Sequence, residues 1–228
     1  MTGRLASLFV ILACAMGVGG CADLERMRPG MGPGHQLVNQ AVIGLTSFAP
    51  EDFPSLGPSL RDACAAMILP KVTAASFGLG GAHGKGVLMV RGATDGAWHG
   101  PVFVSVSELD AGVQAATSTR ELIVVMHSCT ALTGLYGRTA SLHGGALLAD
   151  QAGERGSERV VGKSVQVYAR MHGAALDAAL DATMLRVDAG LAEDFYGTSM
   201  SAEQILATDP EGDPIAIEIR RALAYAAR

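Results

Sequence analysis

The apolar positions change period along the chain. Leu37, Val38, Ala41, Val42 and Leu45 recur at helical spacing, and Pro50 and Pro54 close that segment. A second helix is predicted over 59–69, where Pro58 precedes the first turn, Ala63, Ala66, Met67 and Leu69 form an apolar stripe, and Pro70 stops it. Beyond Pro70 the period shortens to that of strands. Residues 71–81, 84–92, 100–108, 111–119 and 120–126 are β-rich runs separated by Gly, Asp and charged turns, at the spacing of an antiparallel meander, sandwich or barrel. A brief helix is predicted over 129–136. Strand-like segments follow over 139–149, over 163–170, where Val165, Val167 and Ala169 alternate with Gln166, Tyr168 and Arg170, and twice within 174–188. Helices return at 191–196, 201–207 and 214–227, the second with Ser201 as its N-cap and Glu203 and Gln204 in its first turn. The pattern predicts an α+β fold: a curved antiparallel sheet or barrel-like β core flanked by N- and C-terminal helices.

Composition narrows this to one globular domain. The 228 residues are 49% hydrophobic and 17% charged, enough apolar material for a core, while aromatics are 5% and glycines number 29, so Ala, Val, Leu and Met must build it and sharply curved sheet is expected. Seventeen basic against 22 acidic side chains leave a net charge of −5 with no basic run, which excludes a nucleic-acid groove.

The first residues read as an address. Arg4 precedes an uncharged apolar stretch over 5–20, short of the roughly 20 apolar residues a membrane span needs and suited to a signal peptide. Val18-Gly19-Gly20-Cys21 resembles the bacterial lipobox, whose Cys takes a diacylglyceryl group before cleavage on its N-terminal side. Ala22 in the next position then implies sorting to the periplasmic face of a Gram-negative outer membrane. Residues 22–34, with two Pro, three Gly and four charges, read as a flexible tether. The expected organisation is a signal peptide over 1–20, a lipidated tether over 21–34 and one domain over 35–228, with the membrane as partner through a lipid anchor.

Candidate chemistry is sparse. The Gly-rich run 78–86 fails as a Walker loop, because Leu79 and Gly86 stand where Gly and Ser or Thr are needed, and as a dinucleotide fingerprint, because His83 replaces a Gly and a strand follows. It reads as a hairpin turn. Lys71, Lys85 and Arg91 fall within 71–91 with no acidic residue between them, which suits either anionic lipid headgroups or solvated strand ends. Trp98 suits either a membrane interface or a packed core. Gly197-Thr198-Ser199-Met200-Ser201 is one residue short of a nucleophile elbow. Asp209, Glu211 and Asp213 begin like a calcium loop, but Pro214 and Arg220 occupy positions that need Gly and Glu. His127 and Cys129 lack the partners of a metal site, and Glu193 and Asp194 are adjacent on a helix and point apart. No catalysis, metal or cofactor is expected. Cys64 and Cys129 are the thiols left in the mature chain; closing a loop of 65 residues would stabilise by ~4 kcal/mol. Their Ala-rich surroundings favour a free, buried pair and leave the disulfide open.

Residues 77–126 carry a family resemblance. A Gly-rich turn, Gly86-Val87, then Trp98, Pro101 and Phe103, then Gln114 and an aliphatic strand, are similar to the SYLF domain, also called the Ysc84 domain. Gly144-Gly145, the tyrosine strand 163–173 and Phe195-Tyr196-Gly197 extend the likeness over 59–208. It departs from the pattern at Ala97, at Ala115 and Ala116, and at His143. The resemblance implies a lipid-binding, membrane-associated module; eukaryotic members bind phosphoinositides and act with actin machinery, and bacterial members are mostly exported proteins or lipoproteins. An actin partner does not suit a chain with a lipobox. The expected function is therefore a lipoprotein that binds lipid or envelope components. The alternatives are an envelope lipoprotein with a structural or protein-interaction role and, more distantly, a hydrolase.

Overall fold

The computed structural model describes residues 31–77, 79–110, 116–132, 139–142, 147–148, 157–161, 165–173, 178–179, 183–208 and 213–228. The expectations for the signal peptide, Cys21, most of the tether, Gln114, Gly144, Gly145, Asp209 and Glu211 lie outside these residues. A compact unit begins at Gly32. Helix α1 (Pro33–Ser47) buries Leu37, Val38, Ala41, Val42 and Leu45, as their spacing predicts, and has Pro33 in its first turn.

The second helix differs from expectation. Only α2 (Leu56–Arg61) is helical, and strand β1 (Ala65–Phe77) takes up Ala66, Met67 and Leu69. Ala65 to Leu69 is a continuous apolar run, every residue of it buried; a strand covered on both faces and a helical stripe share that pattern. Pro70 ends no helix. It lies at a register irregularity that β1 makes with both of its neighbours, a place where a strand tolerates a missing N–H.

Strands β2 (Leu79–Arg91), β3 (Trp98–Asp110) and β4 (Ala116–Met126) follow, so the five expected runs merge into four long strands. The Gly-rich run is mostly strand rather than turn: Phe77 faces Leu79 across a tight hairpin, and Gly84 and Gly86 lie inside β2. A Cβ on Gly84 would stand 2.8 Å from the carbonyl oxygen of Lys71, and one on Gly86 2.7 Å from Leu69 Cδ2. The glycines let β2 press against β1 where Pro70 disturbs it.

The remaining strands are β5 (Thr139–Leu142), β6 (Leu147–Leu148), β7 (Ser157–Val161), β8 (Val165–Gly173), β9 (Ala178–Ala179) and β10 (Thr183–Val187). β7 has no counterpart in the sequence reading. Between β4 and β5, the described part of the brief helix is a 3-10 turn, Cys129–Leu132. The main sheet runs β5-β10-β3-β2-β1-β4-β8-β7, antiparallel throughout, with β6 and β9 a separate pair. Among the described residues its outer strands do not pair with each other, so the sheet is open rather than a closed barrel.

Three helices end the chain: α3 (Ala189–Tyr196), α4 (Ala202–Thr208) and α5 (Pro214–Ala226). Ser201 caps α4 as expected. Its Oγ accepts from Gln204 N at 3.2 Å while Gln204 Oε1 accepts from Ser201 N at 2.8 Å, a reciprocal capping box. α1 packs on β1 and β2, and α4 and α5 pack on β3. Phe103 on β3 meets Phe195 of α3 with centroids 5.3 Å apart, and Phe195 in turn meets His35 of α1 at 4.5 Å.

Cys64 and Cys129 are joined in a disulfide, with Cα atoms 5.7 Å apart. This corrects the free, buried pair. β1 and β4 are neighbours with Ala65 opposite Met126, which brings the two cysteines to the same end of the sheet. Cys129 is exposed there, not buried in a helix.

Candidate functional site

Helix α5 begins at Asp213, whose Oδ1 accepts from Ile215 N at 2.8 Å and whose Oδ2 meets His35 Nε2 at 2.9 Å. The one described member of the suspected calcium loop is thus a helix cap tied to α1. Ile215, Ala216, Ile219 and Leu223 face the core. Ile217, Arg220, Arg221 and Ala224 fall at i, i+3, i+4 and i+7 on another face. That face, the end of α2 and the 92–97 turn between β2 and β3 enclose a groove of about 470 Å³. Arg61, Arg91, Arg220 and Arg221 line it, and among the described residues no Asp or Glu side chain does.

Three of the four arginines are held by backbone oxygens. Arg91, at the end of β2, donates from Nη2 to Leu60 O at 2.8 Å, from Nε to Ala63 O at 3.0 Å and from Nη1 to Gly96 O at 2.9 Å. Its guanidinium lies 4.3 Å from the centroid of the Trp98 ring. Carbonyl partners orient a guanidinium without cancelling its charge. Arg220 Nη2 reaches Gly100 O at 2.9 Å, and Arg61 Nη1 reaches Ala227 O at 3.2 Å. Arg221 is exposed. Trp98 is only 5% exposed, a packed ring with the cation on it that also lines the groove.

The cations chosen from sequence do not form one cluster. Lys71 and Lys85 stand directly opposite each other on β1 and β2, beside α1. Arg91 is six residues further along β2, about 20 Å away at strand rise, and belongs to the arginine groove. Lys85 is also committed: its Nζ lies 2.8 Å from Asp188 Oδ2. Burial pushes the Asp188 carboxyl up, but the Lys85 hydrogen bond, the Leu191 amide and the Lys85 charge together outweigh it and hold the group below its ordinary value. Sequence reading missed Arg61, Arg220 and Arg221. The available signal was the helical spacing of the α5 arginines; nothing local joined them to Arg61 or Arg91.

The other candidates serve the fold. Cys129, in its disulfide, is not a thiolate ligand. His127 Nε2 meets Ser59 Oγ at 3.2 Å, Ser59 Oγ donates to Gln166 Oε1, and Tyr168 OH donates to the same oxygen at 3.1 Å, which ties α2 to β4 and β8. Asp194 Oδ2 accepts from Gly34 N at 2.7 Å, placing a carboxylate at the start of α1. Among the described residues, no three His, Cys, Asp or Glu side chains gather as a metal site. No described helix is long and apolar enough to cross a membrane.

Neither a curated protein nor a solved structure matches the chain. A family model does: Ysc84, described as "Las17-binding protein actin regulator", matches residues 107–226, from within β3 to the last turn of α5. Trp98, Pro101 and Phe103 precede the matched segment, while Arg220 and Arg221 lie inside it. With more than half of its 228 residues matched, the chain belongs to the Ysc84 (SYLF) family.

Proposed function

We propose that this chain is a lipoprotein, anchored through Cys21 to the periplasmic face of the outer membrane, whose SYLF domain binds anionic lipid headgroups without catalysis. The arginine groove carries the reading. Guanidinium groups take phosphate oxygens in paired hydrogen bonds, and four of them share a groove that no described Asp or Glu side chain lines, on a chain whose net charge is −5. Each basic group near an anionic surface contributes about 1 kcal/mol, so the groove alone gives modest affinity and a tether makes it effective. A diacylglyceryl Cys21 supplies two acyl chains, enough for stable anchoring. The Las17 binding and actin regulation in the family's description belong to the proteins that named it; the lipobox-like start of this chain points to an envelope surface instead.

Two measurements test the reading. Cys21→Ser abolishes palmitate labelling and moves the protein out of the membrane fraction; a variant that still labels and fractionates with membrane overturns the anchor. A form starting at Ala22 keeps the whole compact unit and lacks only the anchor. It cosediments with phosphatidylglycerol vesicles at low salt, and Arg221→Ala weakens this about fivefold while Lys85→Ala does not. Absence of vesicle binding at low salt, with a protein partner captured instead, favours the protein-interaction alternative.

A further inference from the structure

On the other side of the last turns of α5 lies a second groove, of about 600 Å³, between the end of α1, the 50–58 segment and α5. Its floor is apolar and aromatic: Leu45, Phe48, Phe53 and Leu56. Phe48 and Phe53 pack with centroids 4.7 Å apart. Tyr225, which forms one wall, is 73% exposed, and Ile43, one turn before the groove residue Thr46 on α1, is 60% exposed. The floor side chains are nearly covered, Leu45 2% and Phe48 5% exposed, so the open apolar surface of the groove is carried by Tyr225. The charged side chains lining the groove are Arg61 and Arg228, both cationic, and Arg61 lines the arginine groove as well.

We infer that this second groove seats one acyl chain of an anionic phospholipid whose phosphate lies toward Arg61. The inference rests on the headgroup reading above and adds a site for the chain. Charge complementarity selects the occupant: an apolar trough whose charged side chains, among the described residues, are two arginines suits an anionic amphiphile better than a neutral apolar peptide. The volume is that of a small-molecule site, in the range of about 300–1,000 Å³. Arg61 is the shared wall, so head and chain of one molecule can engage both grooves around the end of α5.

The test uses the form starting at Ala22 and palmitoyl-lysophosphatidylglycerol below its micelle concentration, titrated by calorimetry. Glycerophosphoglycerol serves as the probe with a head and no chain. The expected result is saturable one-to-one binding of the lysolipid, at least tenfold weaker binding of the chainless probe, and at least tenfold weaker lysolipid binding by Ala222→Phe, which fills the groove from α5. Should Ala222→Phe fail to fold, Tyr225→Ser decides, since its side chain is mostly in solvent; a loss of a few fold supports the site. If vesicles bind and depend on Arg221 but neither variant changes lysolipid binding, the chain site is wrong and the headgroup reading stands. If neither vesicles nor lysolipid bind, the headgroup reading fails as well. A wild-type dimer in sedimentation that Tyr225→Ser dissociates makes a second copy the occupant and overturns the inference.

Discussion

Replacing Arg91 by alanine removes three hydrogen bonds to the backbone and the cation resting on Trp98. The bonds to Leu60 O and Ala63 O are partly buried and join α2 and the start of β1 to the end of β2; the bond to Gly96 O is exposed. Bonds from a charged donor are worth about 1.5 kcal/mol each at the lower end, which suits partly buried sites, and the exposed one adds little. The cation–ring contact adds about 0.5–1 kcal/mol. The expected loss for Arg91→Ala is therefore about 3–4 kcal/mol, a large part of a typical domain's total. Arg91→Lys keeps the charge but has no planar fork, so it serves one carbonyl at a time and loses about 2 kcal/mol. Trp98 is the single tryptophan and sits under the substituted group, so its fluorescence follows urea unfolding directly. The slope with urea should stay unchanged while the midpoint falls in the order wild type, lysine, alanine. In a thermal scan the alanine variant melts roughly 6–16 °C lower. Equal losses for lysine and alanine would refute the geometric argument, and losses under about 0.5 kcal/mol for both would show that these bonds do not hold the turn in place.

Cys64→Ala with Cys129→Ala opens a loop of 65 residues and lowers stability by about 4 kcal/mol in denaturant titration; a loss below about 1 kcal/mol contradicts the chain-entropy account. Asp188 caps α3 and pairs with Lys85, and its folded carboxyl titrates below its ordinary value, so its contribution is complete above about pH 5 and disappears as the pH falls through the folded value. Asp188→Asn keeps a good cap and should flatten the acid side of the melting-temperature profile below about pH 4 with little change at neutral pH; an unchanged acid limb would mean that the pair is not coupled to folding.

Much of the architecture was legible because its signals are local. The period in α1, the Ser201–Gln204 box and the Asp213-Pro214 start of α5 are each written within a few residues. Ala65–Leu69 was misread because burial on both faces erases the alternation that distinguishes a strand, and Pro70 looks like a helix stop unless the irregularity beneath it is known. The site was half legible. Arg91 and Trp98 stood out, yet their companions come from α2 and α5, joined only by packing. Lys71 and Lys85 were close in sequence and are close in space, but Asp188, 103 residues beyond Lys85, draws one of them into a structural pair.

The strand order β3-β2-β1-β4 also governs how the chain assembles. β1, β2 and β3 pair in sequence order, whereas β4 follows β3 in the chain yet pairs on the far side of β1. β4 covers the outer edge of β1, with the apolar run Ala65–Leu69, an edge that would otherwise be a template for pairing with another chain. Cys64 stands just before β1 and Cys129 just after β4, so the two sulfurs meet when this non-local step is complete. The disulfide thus ties the two ends of the non-local β1–β4 pair together, and trapping free thiols during refolding would time the formation of that pair.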